Sequence, residues 1–201
     1  PKPLLALFER LPGVDVLIET GYPLSAFDYH CPLMSLPLAF GTTLTSIPDA
    51  AGYLTADPQK VRVWQERLGA KTRPRIGVVW SGGSRPNQPE LRAVNERRNV
   101  DLQLFASALR DIHADFYSLQ KGDPAESQIR GHELDYWPHG NFHNHAHELN
   151  DYADTAALIE NLDLVVSVDT STAHLAAALG KPTWILNRYD SCWRWLLERD
   201  D

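Results

Sequence analysis

From residue 75 onward, short apolar segments alternate with segments of helical spacing, and this alternation constrains the fold more than any other feature. The apolar segments are rich in β-branched and aromatic residues, which favour strands. We predict strands at RIGVVW (75–80), FYSLQ (116–120), DLVVSV (163–168) and TWIL (183–186), and a weaker one at HELDYW (132–137). Because strands that alternate with helices form a parallel sheet covered on both faces, the sequence predicts an α/β fold.

The segments around these strands predict helices with recognisable ends. The helices are expected at 57–68, from Asp101 to about Ile112, at Tyr152–Asn161 and at Thr172–Leu179. Pro58 suits the first turn of the first helix and Gly69 is placed to end it. Asp101 can cap the second helix, and Gly180 ends the last one.

Residues 1–55 show little regular pattern and are repeatedly interrupted by proline. We predict a short strand at Val14–Glu19, an extended piece at Phe27–Cys31 and one or two helical turns at Leu33–Phe40. These pieces offer too little alternation for an independent core. We therefore interpret residues 1–55 as the end of another domain or as a packed arm.

Composition argues against two classes of partner. A net charge of −7 argues against a broad nucleic-acid groove, which needs a surplus of Lys and Arg. No segment approaches the roughly 20 apolar residues of a membrane-spanning helix. Cys31 and Cys192 lie far apart without a disulfide-framework spacing, so we expect free thiols in a reducing cytoplasm.

The strand order predicts where a ligand would bind. In open parallel sheets, ligands bind beyond the carboxyl ends of the strands, where the strand order reverses. The common order 3-2-1-4-5 places strand 75–80 beside strand 163–168. The loops that follow them, SGGSRPN (81–87) and DTSTAH (169–174), are then expected to face one another.

The DTSTAH loop favours an anion. The first N–H groups of the following helix have no partner within the helix and carry the positive end of its dipole. Thr170, Ser171 and Thr172 add hydroxyl groups, and His174 lies one helical turn further along on the same side. An alternative interpretation has equal support. In it, Thr170 or Ser171 only caps the helix, and His174 is a half-buried packing residue.

Other candidate groups have simpler alternatives. The Gly82-Gly83 loop lacks the spacing of a dinucleotide fold or a phosphate-binding ATPase loop, so a flexible turn is the default interpretation. Lys121 follows a strand at the same edge, where it is either a surface lysine or a cation that reaches a diphosphate.

Four histidines lie close together in the segment WPHGNFHNHAHEL: His139, His143, His145 and His147. No cysteine is near them and no fixed ligand spacing is present, so we predict a surface loop and no metal centre. No G-x-S-x-G elbow or nucleophilic cysteine motif is present either. The residues alone therefore predict a domain that binds an anionic ligand, without naming a reaction.

Residues 151–186, DYADTAALIENLDLVVSVDTSTAHLAAALGKPTWIL, followed by WRWLL, resemble the carboxyl-terminal half of bacterial glycosyltransferases of the heptosyltransferase type. The greatest similarity is to the glycosyltransferase-like domains that follow tetratricopeptide repeats. The segments FDYHCPLMSLPLAFGTTLTSIP, RIGVVWSG, RRNVDLQLFASAL and FYSLQKG resemble the same proteins in the same order.

The resemblance implies a GT-B arrangement, in which two Rossmann-like domains face a cleft and the second binds a nucleotide-diphosphate sugar. Residues 1–55 would be the end of the first domain, 56–74 a linker helix and 75–201 the donor-binding domain. The donor-binding residues that it implies are Ser81, Gly82, Gly83, Arg98, Lys121, Asp169, Thr170, Ser171, Thr172 and His174. It implies no cofactor besides the donor substrate, and an acceptor that is a saccharide or a protein.

The resemblance also implies what this chain lacks. Residues 14–55 match only the end of the first domain, which in heptosyltransferases carries the acceptor site and the proposed catalytic carboxylate. The chain is thus expected to be a fragment or a truncated relative. We consider a glycosyltransferase or its donor-binding half, a non-catalytic module that binds a nucleotide or a protein, and metal binding through the histidine-rich segment.

Overall fold

The computed structural model describes residues 1–48, 52–83, 90 and 92–196. Residues 84–89 of the predicted loop after the first strand lie outside the described residues. The helices are α1 (Leu5–Phe8), α2 (Leu36–Ala39), α3 (Pro58–Leu68), α4 (Arg92–Arg98), α5 (Leu102–Leu109), α6 (Ala125–Ile129), α7 (Glu133–Tyr136), α8 (Tyr152–Glu160) and α9 (Ser171–Ala178). Short 3-10 turns occur at Lys2–Leu4, Leu33–Ser35, Ala146–Glu148 and Trp193–Trp195.

The centre of the molecule is a parallel sheet of five strands in the order β3-β2-β1-β4-β5. The strands are β1 (Arg75–Val79), β2 (Asp115–Ser118), β3 (Phe142–His143), β4 (Leu164–Val168) and β5 (Thr183–Leu186). In register, Ile76 of β1 lies beside Phe116 on one side and Leu164 on the other. The predicted strand order and the parallel α/β, Rossmann-like fold are therefore confirmed.

The helix ends follow from local capping chemistry. The Asp57 carboxylate accepts a hydrogen bond from the N–H of Gln59, and Gly69 ends α3 with a positive φ of 65°. Asp101 caps α5 through the N–H of Leu104. Each predicted helix forms within a few residues of its expected bounds.

The third strand lies elsewhere than expected. HELDYW (132–137) contains helix α7 and not a strand, and β3 lies within the histidine-rich segment. The indole of Trp137 is buried against Phe142, with ring centroids 4.3 Å apart. The apolar residues that suggested a strand therefore anchor a helical turn beneath the edge strand.

The two extended predictions near the start are wrong. No strand forms at Val14–Glu19 or Phe27–Cys31 in the described part of the chain. Val16 is 70% exposed and Tyr29 is 94% exposed, so these side chains contribute little to a core that would hold either piece as a strand. The helical turns predicted at Leu33–Phe40 are confirmed.

Apolar side chains form one core cluster on each face of the sheet. On one face, Trp64 of α3 and Leu158 of α8 pack with Leu7 of α1. On the other face, Phe105 of α5 packs with Trp137. The predicted linker helix α3 is thus part of the packed domain, and so is the first helical turn of the chain. Within the described ranges, no helix is both long and apolar enough to cross a membrane.

Candidate functional site

A cleft of about 290 Å³ lies at the carboxyl edge of the sheet, where β1, β2 and β4 end. β1 and β4 are adjacent and parallel, as predicted, so the loops after them meet at this cleft. The lining residues are Pro3, Val79, Ser81, Gly83, Leu119, Gln120, Lys121, Leu149, Asn150, Asp151, Tyr152, Thr155, Thr170, Ser171 and Thr172. Six of the residues expected at the site are in this lining: Ser81, Gly83, Lys121, Thr170, Ser171 and Thr172.

The amino-terminal end of α9 forms one wall of the cleft. Thr170 caps the helix, because its Oγ1 accepts a hydrogen bond from the N–H of Ala173 at 3.5 Å and lies 2.9 Å from Ser167 Oγ. Ser171 and Thr172 occupy the first two helical positions, where backbone N–H groups lack acceptors within a helix. Thr170 thus both caps the helix and faces the cleft.

Lys121 brings a positive charge to the opposite side. Its Nζ donates a hydrogen bond to the carbonyl oxygen of Ala146 at 2.7 Å and lies 3.8 Å from Glu126 Oε2. The side chain remains 47% exposed. The ammonium is therefore anchored by neutral and acidic oxygens while it stays accessible from the cleft.

Gly82 and Arg98 lie beside the cleft and not in its lining, although Ser81 and Gly83 of the same loop line it. A Cβ on Gly82 would lie 2.0 Å from Nη2 of Arg98, so the guanidinium occupies the space that a larger residue would need. Arg98 Nη1 donates to the carbonyl oxygen of Asp169 at 3.1 Å, and the N–H of Gly82 donates to Asn99 Oδ1 at 2.9 Å. Arg98 thereby links the loop after β1 to the loop after β4.

His174 also lies outside the lining. Its imidazole stacks on Trp195 with centroids 5.3 Å apart and planes 12° apart, and its Nε2 lies 3.5 Å from Asp169 Oδ1. The side chain is 45% exposed, so His174 is half-buried, and its stacking on Trp195 fits the packing alternative as well as a ligand contact. It is accessible on the outer side of the α9 terminus.

Several cleft residues were not foreseen from the sequence. They come mainly from the start of α8 and from the end of β2: Gln120, Asn150, Asp151, Tyr152 and Thr155. The Asp151 carboxylate caps α8 by accepting a hydrogen bond from the N–H of Asp154 at 2.9 Å. The sequence D-Y-A-D was a helix-start signal that, with the strand order, would have placed α8 at the same edge.

The histidine-rich segment is only partly the surface loop that was predicted. His143 belongs to β3 and its ring stacks on Tyr117 with centroids 4.8 Å apart. Burial lowers the pKa of His143, although the nearby Asp115 carboxylate opposes that shift. His145 packs edge-on against Trp64. Among the described residues, no group of three or more His, Cys, Asp or Glu side chains is arranged to hold a metal ion.

Comparison with known proteins gives a partial match to one family. Residues 150–191, which contain α8, β4, α9 and β5, match the model of glycosyltransferase family 9 (heptosyltransferase). Protein FlbA of Caulobacter vibrioides is 27% identical over 166 residues, which are 80% of this chain and 26% of FlbA. The chain therefore spans about a quarter of that relative.

Among solved structures, E. coli ADP-heptose LPS heptosyltransferase II is similar to this chain with a TM-score of 0.46 and 17% identity. The similarity covers 72% of this chain and 42% of the heptosyltransferase.

Proposed function

We propose that this domain binds the diphosphate of a nucleotide-diphosphate sugar in the cleft, as the donor-binding part of a glycosyltransferase. The observation that carries the proposal is where the family match falls. Its residues 150–191 include the starts of both α8 and α9, and these line the cleft with Asn150–Tyr152 and Thr170–Thr172. The part of the chain that matches the glycosyltransferase family thus supplies seven of the fifteen residues that line the cleft.

The chemistry of the lining suits a diphosphate. The dipole of α9 and its first N–H groups favour negative charge, and the hydroxyl groups of Ser171 and Thr172 can donate hydrogen bonds to phosphate oxygens. Lys121 adds a cation on the other side of the cleft. The same groups would stabilise the diphosphate as it leaves the sugar.

Glycosyl transfer also needs an acceptor and a base that removes the acceptor proton. We propose that these come from the preceding Rossmann-like domain of a longer protein, since the chain covers 26% of FlbA. Under this proposal residues 14–55 are the end of that domain, whereas Leu7 of α1 packs in the core of the domain described here. The acceptor is a saccharide or a protein, and a preceding tetratricopeptide-repeat region would suit a protein acceptor.

A second candidate is a non-catalytic module that retains the fold and binds a protein or a nucleotide. One observation favours it: many large apolar side chains between residues 14 and 47 are exposed, including Tyr22, Phe27, Tyr29, Leu38 and Phe40. Exposed apolar surfaces of this kind mark protein contacts. Donor binding without sugar release or transfer by the full-length protein would favour this candidate.

The proposal is tested by thermal-shift screening against uridine, guanosine, adenosine and cytidine diphosphates and their sugars, followed by titration calorimetry. We expect one base to be preferred and Lys121→Ala to weaken binding without a large loss of stability. Lys71→Ala, on an exposed lysine outside the cleft lining that pairs with Asp163, serves as the control. Absence of binding for every nucleotide, in both this chain and the full-length protein, would overturn the proposal.

A further inference from the structure

We infer that Gln120 is a positioning residue for the cleft, which fixes Ser81 and Lys121 relative to one another; the inference rests on the proposed donor-binding function. Ser81 comes from the loop after β1 and Lys121 from the loop after β2. Both residues line the cleft. Gln120 lies between them at the base of the cleft.

Gln120 is only 1% exposed, and both the oxygen and the nitrogen of its side-chain amide form hydrogen bonds. Its Oε1 accepts hydrogen bonds from the N–H groups of Trp80 at 3.2 Å and Ser81 at 3.0 Å. Its Nε2 donates to the carbonyl oxygens of Ser81 at 3.0 Å and Lys121 at 3.2 Å. One side chain thus binds four backbone groups of two loops.

These backbone groups lie just beyond the ends of the strands. β1 ends at Val79 and β2 at Ser118, so Trp80, Ser81 and Lys121 follow the last regular ladder positions. Buried backbone N–H and C=O groups need partners, and here a side-chain amide supplies them. Only an amide offers an acceptor and two donors in one plane, whereas a carboxylate only accepts and an aliphatic chain does neither.

The test uses Gln120→Glu, which keeps the shape and replaces the donor by an acid oxygen. When ionised, this oxygen faces the carbonyl oxygens of Ser81 and Lys121 without a proton to donate. Burial raises the pKa of such a carboxyl group, so at lower pH it regains a proton and one hydrogen bond. We expect nucleoside diphosphate to bind roughly tenfold more weakly than to wild type at pH 8. Near pH 5, the affinity of Gln120→Glu relative to that of wild type should recover in part.

Asn141→Asp is the matched control. Asn141 is also a buried amide, 2% exposed, and its Nδ2 donates to the carbonyl oxygen of Ala114 at 2.8 Å. It precedes β3, at the amino-terminal edge of the sheet and away from the cleft. We expect this variant to lose stability as pH rises while the affinity of its folded fraction stays at the wild-type value.

Amide hydrogen exchange at one pH separates the inference from the proposed function. We expect Gln120→Met, which removes the acceptor of the Trp80 and Ser81 N–H groups, to lose protection in peptides that contain Trp80–Ser81, and Asn141→Asp to keep it there. If the wild type binds no nucleotide, the proposed function fails, and this local loss of protection still supports the positioning role. Unchanged protection, or wild-type affinity in Gln120→Glu at pH 8, would overturn the inference.

Discussion

The phenol of Tyr152 donates a hydrogen bond to the Oγ of Ser171 at 2.7 Å, and this bond joins the first helical residues of α8 and α9. Both residues line the cleft. Because the phenol is the donor, the Ser171 hydroxyl keeps its own proton available for a ligand oxygen. The contact thus orients a hydroxyl group without using its donor.

We predict that Tyr152→Phe weakens nucleoside diphosphate binding by roughly 3- to 10-fold, because the Ser171 hydroxyl loses its fixed orientation. Ser171→Ala should weaken binding at least as much. If Tyr152 acts through Ser171, the double variant binds no more weakly than Ser171→Ala alone. Titration calorimetry on the three variants gives the coupling energy, and fully additive losses would show that the two residues act separately.

Gly82→Ala should displace the Arg98 guanidinium, since a Cβ there would lie 2.0 Å from Nη2. The displaced side chain loses its hydrogen bond to the carbonyl oxygen of Asp169, and we expect a loss of about 1–2 kcal/mol in the free energy of unfolding. Gly83→Ala is the control, because no heavy atom of the described residues lies within 4 Å of a Cβ at that position. Urea denaturation that finds equal stabilities for the two variants would contradict this account of Gly82.

The ion pair of Lys60 and Asp154 should make stability depend on pH at both extremes. Burial alone would raise the pKa of Asp154, but hydrogen bonds from Lys60 and Asn150 hold it below its ordinary value. The hydrogen bond to Asp154 raises the pKa of Lys60, against the opposing effect of burial. The carboxylate's contribution is present above its unfolded-state pKa and is lost as pH falls through the lowered folded-state value. The lysine's contribution is present below pH ~10 and is lost as pH rises through its raised pKa.

Lys60→Met is therefore expected to lower the free energy of unfolding by about 1 kcal/mol near pH 7, since the lysine is partly exposed. The deficit relative to wild type should shrink toward pH 2 and above pH 11. Lys71→Met, which removes a more exposed pair with Asp163, should cost less. Urea titrations across this pH range measure both differences, and a pH-independent deficit would show that packing and not charge is lost.

His174 lies outside the cleft lining, so it contacts the ligand only if the phosphates extend to the outer side of the α9 terminus. In that case His174→Ala should weaken nucleoside diphosphate binding by roughly 10- to 150-fold, because a hydrogen bond to a phosphate oxygen is lost. Because the imidazole is 45% exposed, stability should change by only about 0.5 kcal/mol. His147→Ala removes another exposed imidazole as a control. Titration calorimetry measures the affinity and urea unfolding measures the stability. A variant with wild-type affinity but a lower free energy of unfolding would show that His174 has only a packing role.

The elements that local chemistry specifies were predictable. Thr170 and Asp151 cap the helices that follow and precede an apolar strand, and the local pattern there predicted α8, β4 and α9. The strand order then brought Ser81 and Thr170 to the same cleft. Capping and periodicity were sufficient here because each is decided within a few residues.

The remaining features depend on contacts that are distant in sequence. β3 is only two residues long, so its own composition does not mark it as a strand. Its position depends on the stacking of His143 on Tyr117 and of Trp137 on Phe142. Gln120 follows a strand with nothing in its neighbourhood to mark its four backbone contacts. The sequence showed that Gly82 suits a flexible turn, but not that the Arg98 guanidinium packs directly against it.

The central place of β1, between β2 and β4, has a consequence for how the chain acquires its cleft. The lining combines Ser81, Lys121 and Thr170, which are brought together only when both neighbours have paired with β1. Pairing of parallel strands across such long connections is slow, because the chain entropy is lost before the contacts form. Ligand affinity should therefore emerge late in refolding and all at once, so that bound nucleotide would report a completed sheet and not a partly folded one.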